Sequence, residues 1–436
     1  MAKKGKFSFI KPNFRKIPQI EEQDDIQDED VREVIVENRS GFNLIEVVII
    51  VIISIAFGVV VGSSLSFFCS SYEGEEMSDS LQELLVVYHN ILDTYYEDID
   101  ESDLVDAAID GMVSSLDDPY STYMDEETSD SFNQTVDGSY VGIGVTVSAS
   151  EGGEFIIVSV TDDSPAEDAG IMVGDSIQSI NQQSVIGLSL DDVTELVKGE
   201  EGSKVQMTLM RDGEEIEKTI TRGNVDLVSV NSQVYALNNG NAGYISIHSF
   251  AANTYKQFKK ELKKVENKNI HSLIIDVRSN PGGYLNQTKK ILELFMKKNK
   301  VLYQVEFKKE KTKVTDSSKE SRSYPVIVLI NSSSASASEI LASSFKDSYP
   351  DALLVGDTTY GKGTVQTAYS LSDGSSLKFT TERWLTPSGD WIDGKGVSPD
   401  RNVLLTEEYL ENPIPENDLQ LQTALNILEN EKNTSD

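Results

Sequence analysis

The chain has 436 residues, 39% hydrophobic and 25% charged, so it has room for two or three globular domains and is not a wholly disordered polymer. Its 72 acidic against 38 basic side chains leave a formal charge of -34, which repels phosphate backbones and argues against a nucleic-acid partner. The single cysteine, Cys69, excludes an intrachain disulfide and a cysteine metal cluster, and no metal or cofactor is expected.

From Val47 to Phe68 there is no charged residue, and the run VVIIVIISIAFGVVV is rich in branched apolar side chains. That length spans a bilayer core of roughly 30 Å, so residues 44–68 are read as one transmembrane helix rather than a buried core helix. Lys3, Lys4, Lys6, Lys11, Arg15, Lys16, Arg32 and Arg39 precede it, and Glu73, Glu75 and Glu76 follow. The positive-inside rule places residues 1–43 in the cytoplasm and everything after Ser70 outside. Gly41-Phe42-Asn43-Leu44-Ile45-Glu46 resembles a prepilin cleavage signal, but the acidic run from Glu21 to Asp30 and the absence of a pilin-like body favour a retained anchor. Phe68 is too bulky for a lipoprotein signal at Cys69.

Residues 77–137 repeat apolar side chains at helical spacing, as in Leu81, Leu84, Leu85, Tyr88 and Ile91, up to the turn-forming Asp117-Asp118-Pro119. Between 138 and 222 the pattern changes to short alternating strands, Val141–Val147, Phe155–Val160, Ser176–Ile180 and Val205–Arg211, with two short helices. The first helix has Ser164 as N-cap, Pro165 in its first turn and Gly170 as stop; the second runs over about 189–197. This unit, and SPAEDAGIMVGDSIQSINQQSV in particular, resembles a PDZ domain. The resemblance makes Gly142-Ile143-Gly144-Val145 the loop that offers amides to a peptide carboxylate, and Leu190, Val193 and Val197 the candidate pocket, although these apolar residues also suit an ordinary core.

Over 223–400 strands alternate with helices: Tyr244–Ile247, Leu273–Val277, Val326–Ile330, Leu353–Val355 and Leu377–Thr380, with helices near Tyr255–Val265, Tyr284–Lys297 and Ala337–Lys346. This implies an α/β domain with helices packed on a mixed sheet. Lys308–Arg322 reads as an exposed loop or hairpin, and 401–436 as a tail with a helix over Leu419–Leu428.

Three segments carry the chemistry. In the first, strand Val326–Ile330 runs into Asn331-Ser332-Ser333-Ser334-Ala335-Ser336 and then a helix, which places a nucleophile at a strand end before a helix N-terminus. In the second, Gly361-Lys362-Gly363 puts a lysine between two glycines; such a lysine becomes a base only if burial brings its pKa from about 10.4 toward roughly 7 to 8. Gln366 is the candidate partner of that amine, and four strand residues span about 13 Å, so a bend or helical turn is expected after Gly363. In the third, Asn280-Pro281-Gly282-Gly283 makes a tight turn with outward amides, and Asp276 and Arg278 before it are expected to pair structurally. None of His89, His248 and His271 lies in these segments, so a Ser/His/Asp triad is not expected.

Together with Ser115-Leu116-Asp117-Asp118-Pro119-Tyr120-Ser121, SASASE and GKGTVQ, these segments resemble the carboxy-terminal processing peptidases, or tail-specific proteases, from about Leu81 to Pro399. The double Asp117-Asp118 departs locally from the family turn, which usually has one Asp before Pro. The resemblance implies a crotonase-like catalytic fold and a serine endopeptidase acting on exported or membrane-attached proteins with exposed C-terminal tails. It implies Ser336 as nucleophile, Lys362 as base, Gln366 as third member, and an oxyanion site from the amides of Ala337 and of Gly282 or Gly283. A homodimer is left open. The rivals are an inactive PDZ scaffold and an acyl-CoA enzyme of the related crotonase-like fold.

Overall fold

In a computed structural model the described residues are 15–16, 77–150 and 152–430. The expected span at 44–68, the Gly41 signal and Cys69 lie outside them, and among the described residues no helix is long and apolar enough to cross a membrane. The chain divides into two compact units, one of residues 17–115 and one comprising 1–16 and 116–436.

The smaller unit shows helices α1 (Asp79–Thr94) and α2 (Glu101–Ser114). Ser78 and Asp100 cap them, accepting the amides of Leu81 at 3.4 Å and Ser102 at 2.8 Å. The Tyr88 hydroxyl donates to Glu101 at 2.6 Å and joins the pair. Gly111, a weak helix former, lies inside α2 without ending it.

In the larger unit, β1 (Thr122–Met124) leads to α3 (Glu126–Asp137), which is capped by Asp125 and stopped by Gly138 at φ +69°. The PDZ-like region follows as β2 (Ser139–Gly142), β3 (Val145–Ala149), β4 (Phe155–Val160), α4 (Pro165–Asp168), β5 (Ser176–Ile180), α5 (Leu190–Val197), β6 (Lys204–Arg211), β7 (Glu214–Thr221) and β8 (Gly223–Asp226). Strands β3 to β7 form one antiparallel sheet in chain order, over a core that includes Ile157, Ile180, Val193, Met207 and Leu209. The single strand expected over 141–147 is instead divided. At Gly144 φ is +85°, and a Cβ there would lie 2.4 Å from the Ser164 Cβ, so the chain turns out of one sheet and into another. Strand β2 pairs with β8 in a separate ribbon, Gly142 opposite Gly223 and Ser139 opposite Asp226.

The catalytic region continues with β9 (Val230–Leu237), β10 (Gly240–Ile247), α6 (Thr254–Glu266), β11 (Ile270–Asp276), α7 (Leu285–Leu292), β12 (Val301–Phe307), β13 (Glu310–Thr315), β14 (Val326–Ile330), α8 (Ala337–Ser348), β15 (Ala352–Gly356), β16 (Thr364–Ser370), β17 (Ser376–Leu385), β18 (Arg401–Asn402), α9 (Glu407–Glu411) and α10 (Leu419–Asn430). The main sheet runs β9-β10-β11-β14-β15-β18, antiparallel at the first pair and parallel thereafter. Its central strands β11 and β14 are buried and largely apolar on both faces because both faces are covered. Val326, Val328 and Ile330 join the core of Phe258, Ile291, Phe295 and Phe345 from α6, α7 and α8 and their flanks, whereas Ile327 and Leu329 meet Leu421, Leu425 and Leu428 of α10. A second sheet, β16-β17-β12-β13 with β1 on β17, is antiparallel throughout, and Arg15–Lys16 pairs with its β16 opposite Ser370 and Tyr369. The helix expected to reach Lys297 ends at Leu292; the chain turns there while still burying Leu294, Phe295 and Met296, so the apolar signal outlasts the helix.

Candidate active site

Ser336 stands between β14 and α8, at φ +54° and ψ -113°. For a residue with a Cβ this backbone costs about 1–3 kcal/mol, so its surroundings must hold it. Asn280, fully buried, supplies much of that support. Its carbonyl accepts the Ala335 amide at 3.0 Å and the Ser338 hydroxyl at 2.9 Å, while its side-chain amide donates to the Ile247 carbonyl at 2.8 Å. The Ser334 hydroxyl donates to the Val277 carbonyl at 2.8 Å and closes the same seam between β11 and the nucleophile loop.

The second support is Glu339, also fully buried. One carboxylate oxygen accepts the amides of Ser336 at 2.8 Å and Lys362 at 2.9 Å; the other accepts the Thr359 hydroxyl at 2.5 Å and the Gly361 amide at 2.7 Å. A single anion thus clamps the nucleophile and base segments together. Glu339 was visible as the last letter of SASASE, but nothing in the pattern marked it as the joint between the two.

The glycines around Lys362 allow close backbone packing. At Gly361, φ is +91° and a Cβ would lie 2.9 Å from the amide nitrogens of Lys395 and Gly396; at Gly363 it would lie 2.6 Å from Trp391 Nε1. The Lys362 carbonyl accepts the indole N–H of buried Trp384 at 2.8 Å. Lys362 Nζ lies 4.5 Å from the centre of the Tyr120 ring, and among the described residues no hydrogen bond joins it to Ser336 Oγ. Burial pushes the Lys362 amine down and Lys378 pushes it further, while Asp118 and Glu339 oppose them; the net position is below the ordinary lysine range.

No helical turn follows Gly363, because β16 begins at Thr364. A β-bulge between Val365 and Gln366 shifts the register instead. Gln366 Nε2 donates to Thr364 Oγ1 and Thr380 Oγ1, both at 3.0 Å, and no hydrogen bond joins Gln366 to Lys362 among the described residues.

Gly282 packs against the nucleophile: a Cβ there would lie 2.9 Å from the Ser336 Cβ and 3.1 Å from the Ala337 nitrogen. The Gly282 amide donates to Asn280 Oδ1 at 2.9 Å. Gly283, at φ +140°, lies against the backbone of Phe250, whose carbonyl oxygen a Cβ would approach to 2.4 Å. Ala337 is the first residue of α8, where amides have no intrahelical acceptor. Asp276 and Arg278 pair as expected and take in the tail: Arg278 Nη2 lies 2.6 Å from Asp276 and 2.7 Å from Asp418, and the Tyr244 hydroxyl donates to Asp276 at 2.7 Å.

In the PDZ-like region the Ile143 and Gly144 carbonyls accept the amides of Ala166 at 2.8 Å and Thr161 at 2.9 Å. Gly142 ends β2 and Val145 begins β3, on either side of the turn. Leu190 is 40% exposed, whereas Val193 is 1% exposed and belongs to the domain core; Val197 packs against that core.

Family profiles match the chain in three places: Peptidase family S41 over residues 241–403, a PDZ domain over 141–221, and the activating protease CtpB N-terminal domain over 65–128. Carboxy-terminal processing protease CtpA of Bacillus subtilis (strain 168) is 40% identical over 349 residues, covering 78% of this chain and 74% of its own. The chain belongs to the carboxy-terminal processing proteases of peptidase family S41. CtpB of the same organism is 38% identical, covering 81% of this chain and 72% of its own, and a probable CtpA-like serine protease of Staphylococcus saprophyticus is 36% identical, covering 87% and 76%. Among solved structures, the photosystem II D1 C-terminal processing protease is similar at 25% identity and a TM-score of 0.46, covering 81% of this chain and 92% of its own. As a carboxy-terminal processing protease the chain is a serine-type hydrolase with a PDZ domain, and the inactive-scaffold and acyl-CoA readings fall away.

Proposed function

We propose that this protease is an endopeptidase in which Ser336 is the nucleophile and Lys362 its general base, and that the PDZ domain reads the C-terminal tail of a protein substrate. The observation that carries the proposal is the Glu339 carboxylate, which fixes the amides of both residues within 2.9 Å of itself. The neutral Lys362 amine takes the Ser336 proton as Oγ bonds to the scissile carbonyl carbon. The resulting oxyanion is received by the Ala337 amide together with the Gly282-Gly283 turn, whose Gly282 packs against Ser336. The peptide C–N bond then breaks as Lys362 returns the proton to the leaving amine. Water, deprotonated by Lys362, releases the acyl fragment.

For this to happen the amine must swing from the Tyr120 face toward Ser336. Occupation of the groove between β3 and α5 is the proposed trigger, acting through the β2–β8 ribbon that carries the domain. Ser336→Ala and Lys362→Ala proteins are each expected to lose at least a thousandfold in initial rate on fluorescein-labelled casein. Retention of the parent rate by either would overturn the assignment.

We also propose that residues 44–68 anchor the chain with its amino end in the cytoplasm and its catalytic domain outside, facing exported or membrane-attached substrates. The charge asymmetry around this segment supports it. The pairing of Arg15–Lys16 with Ser370 and Tyr369 is incompatible with that topology, since one span would separate the partners. Protease accessibility of tags at the two ends in intact and opened cells decides between them.

A further inference from the structure

The groups around Gln366 form a hydrogen-bond chain with a fixed direction. Asp118 lies in the turn before β1, where its Oδ1 accepts the Tyr120 amide at 3.1 Å. Its Oδ2 accepts two hydroxyls, Ser121 at 2.5 Å and Thr380 at 2.6 Å. Ser121 Oγ in turn accepts the Thr380 amide at 3.2 Å, which docks the turn on β17. Partial burial pushes the Asp118 carboxyl up, but the hydroxyls of Ser121 and Thr380, the Tyr120 amide and the charge of Lys362 outweigh it and hold it below the usual carboxylate range. Asp118 therefore stays ionised and accepts only.

Direction follows from that. Thr380 has one hydroxyl proton and gives it to Asp118, so it can only accept from Gln366. The Gln366 amide must turn its NH2 toward Thr380 and Thr364, which leaves Oε1 as its free end. An oxygen, rather than an NH2, is what an ammonium or amine proton can bond to. Resting on the Ser336/Lys362 reading, we propose that Asp118, acting through Thr380, is a positioning residue that sets the orientation of Gln366 so that its carbonyl oxygen receives the Lys362 amine during the reaction. The same turn carries Tyr120, whose ring holds the amine in the resting arrangement, so one element addresses both positions of the base.

The test compares Thr380→Val, Thr380→Ser and Asp118→Asn, with fluorescein-labelled casein as the probe and rates followed against pH. Thr380→Val removes the relay and is expected to lower kcat at least tenfold with KM within twofold; Thr380→Ser keeps the hydroxyl and is expected within threefold of the parent. Asp118→Asn can donate to Thr380, freeing the amide to flip, and is expected to lower the plateau rate by about tenfold or more.

That variant also changes the charges facing Lys362, which are Lys378 from β17, Glu339 from α8 and Asp118 itself, with Tyr120 and Tyr360 beside them. Loss of the Asp118 anion disfavours the ammonium, so the acid limb of the rate profile should move to lower pH. That shift follows from the lost charge whatever Asp118 does to Gln366, so the relay itself is read from kcat against KM in Thr380→Val and from its rescue in Thr380→Ser. A Thr380→Val protein with parental kcat, a serine variant as impaired as the valine one, or an Asp118→Asn protein with the parental plateau rate would each overturn the proposal. Thr380→Ala replaces valine if that variant does not fold. Ser336→Ala and Lys362→Ala run in parallel: activity in those variants counts against the Ser/Lys reading itself, whereas their inactivity alongside a parental Thr380→Val rejects only the relay.

Discussion

Glu339 holds Lys362 by its backbone amide, at 2.9 Å, and not by its side chain. The distinction matters because a glutamate salt-bridged to the amine would keep it protonated, whereas a glutamate bound to the main chain fixes the segment and leaves the amine free to move. The same oxygen takes the Ser336 amide, so the off-basin backbone of the nucleophile is stabilised by a charged acceptor.

Glu339→Gln tests that clamp. A glutamine offers one acceptor oxygen and one donor NH2 to a site where three backbone amides and a hydroxyl all point inward as donors. Folding stability in urea is expected to fall by about 2–3 kcal/mol, and casein cleavage by at least a hundredfold because Ser336 and Lys362 lose their common anchor.

Lys378 gives a pH test of opposite sign to Asp118. Its ammonium disfavours a second charge on Lys362, so Lys378→Met should raise the Lys362 pKa. The neutral amine is the active form, and activity grows as pH rises through that pKa. The acid limb should therefore move to higher pH, with the high-pH plateau retained.

The Arg278 cluster predicts a stability effect at a distance from the reaction. Removing one anion by Asp418→Ala leaves a largely buried guanidinium short of a partner, at a cost of about 3–5 kcal/mol. Because Asp418 begins the segment that docks α10, amide hydrogen exchange in 419–430 is expected to accelerate well before the main sheet opens.

In the PDZ domain, two neighbours on α5 should part company. Leu190→Asp alters an exposed side chain and is expected to weaken binding of a C-terminal peptide with little change in thermal stability. Val193→Asp puts a carboxylate in the core and is expected to unfold the domain, costing more than about 3 kcal/mol. Calorimetric titration beside thermal melts separates the two.

Much of this arrangement was legible in the chain. The unbroken apolar run Val326–Ile330 announced a strand covered on both faces, and Ser164-Pro165 announced the start of α4, because these signals are local. The glycines flanking Lys362 pointed to close backbone packing, and a Cβ at Gly361 or Gly363 would indeed meet Lys395, Gly396 or Trp391. Alternation did not show the division at Gly144, since it reads the same whether a strand stays in one sheet or changes to another; the PDZ resemblance, which made Gly142-Ile143-Gly144-Val145 a loop, did. The bulge at Val365/Gln366 was hidden because register depends on the partner strand β17. Glu339 reaches Thr359 across 20 residues, Thr380 reaches Gln366 across 14 and Asp118 reaches Thr380 across 262, and no spacing rule connects an acceptor to donors so far along the chain.

The β2–β8 ribbon has one more implication. The chain leaves the catalytic fold at Gly142 and returns at Gly223, directly opposite in the same ladder. To the remainder of the protein, the PDZ domain is the swollen tip of a β-hairpin, and a two-residue turn would seal the gap it leaves. Any domain whose ends meet the spacing of Gly142 and Gly223 could stand in its place, and whatever it binds would act on the catalytic fold through those two strands alone.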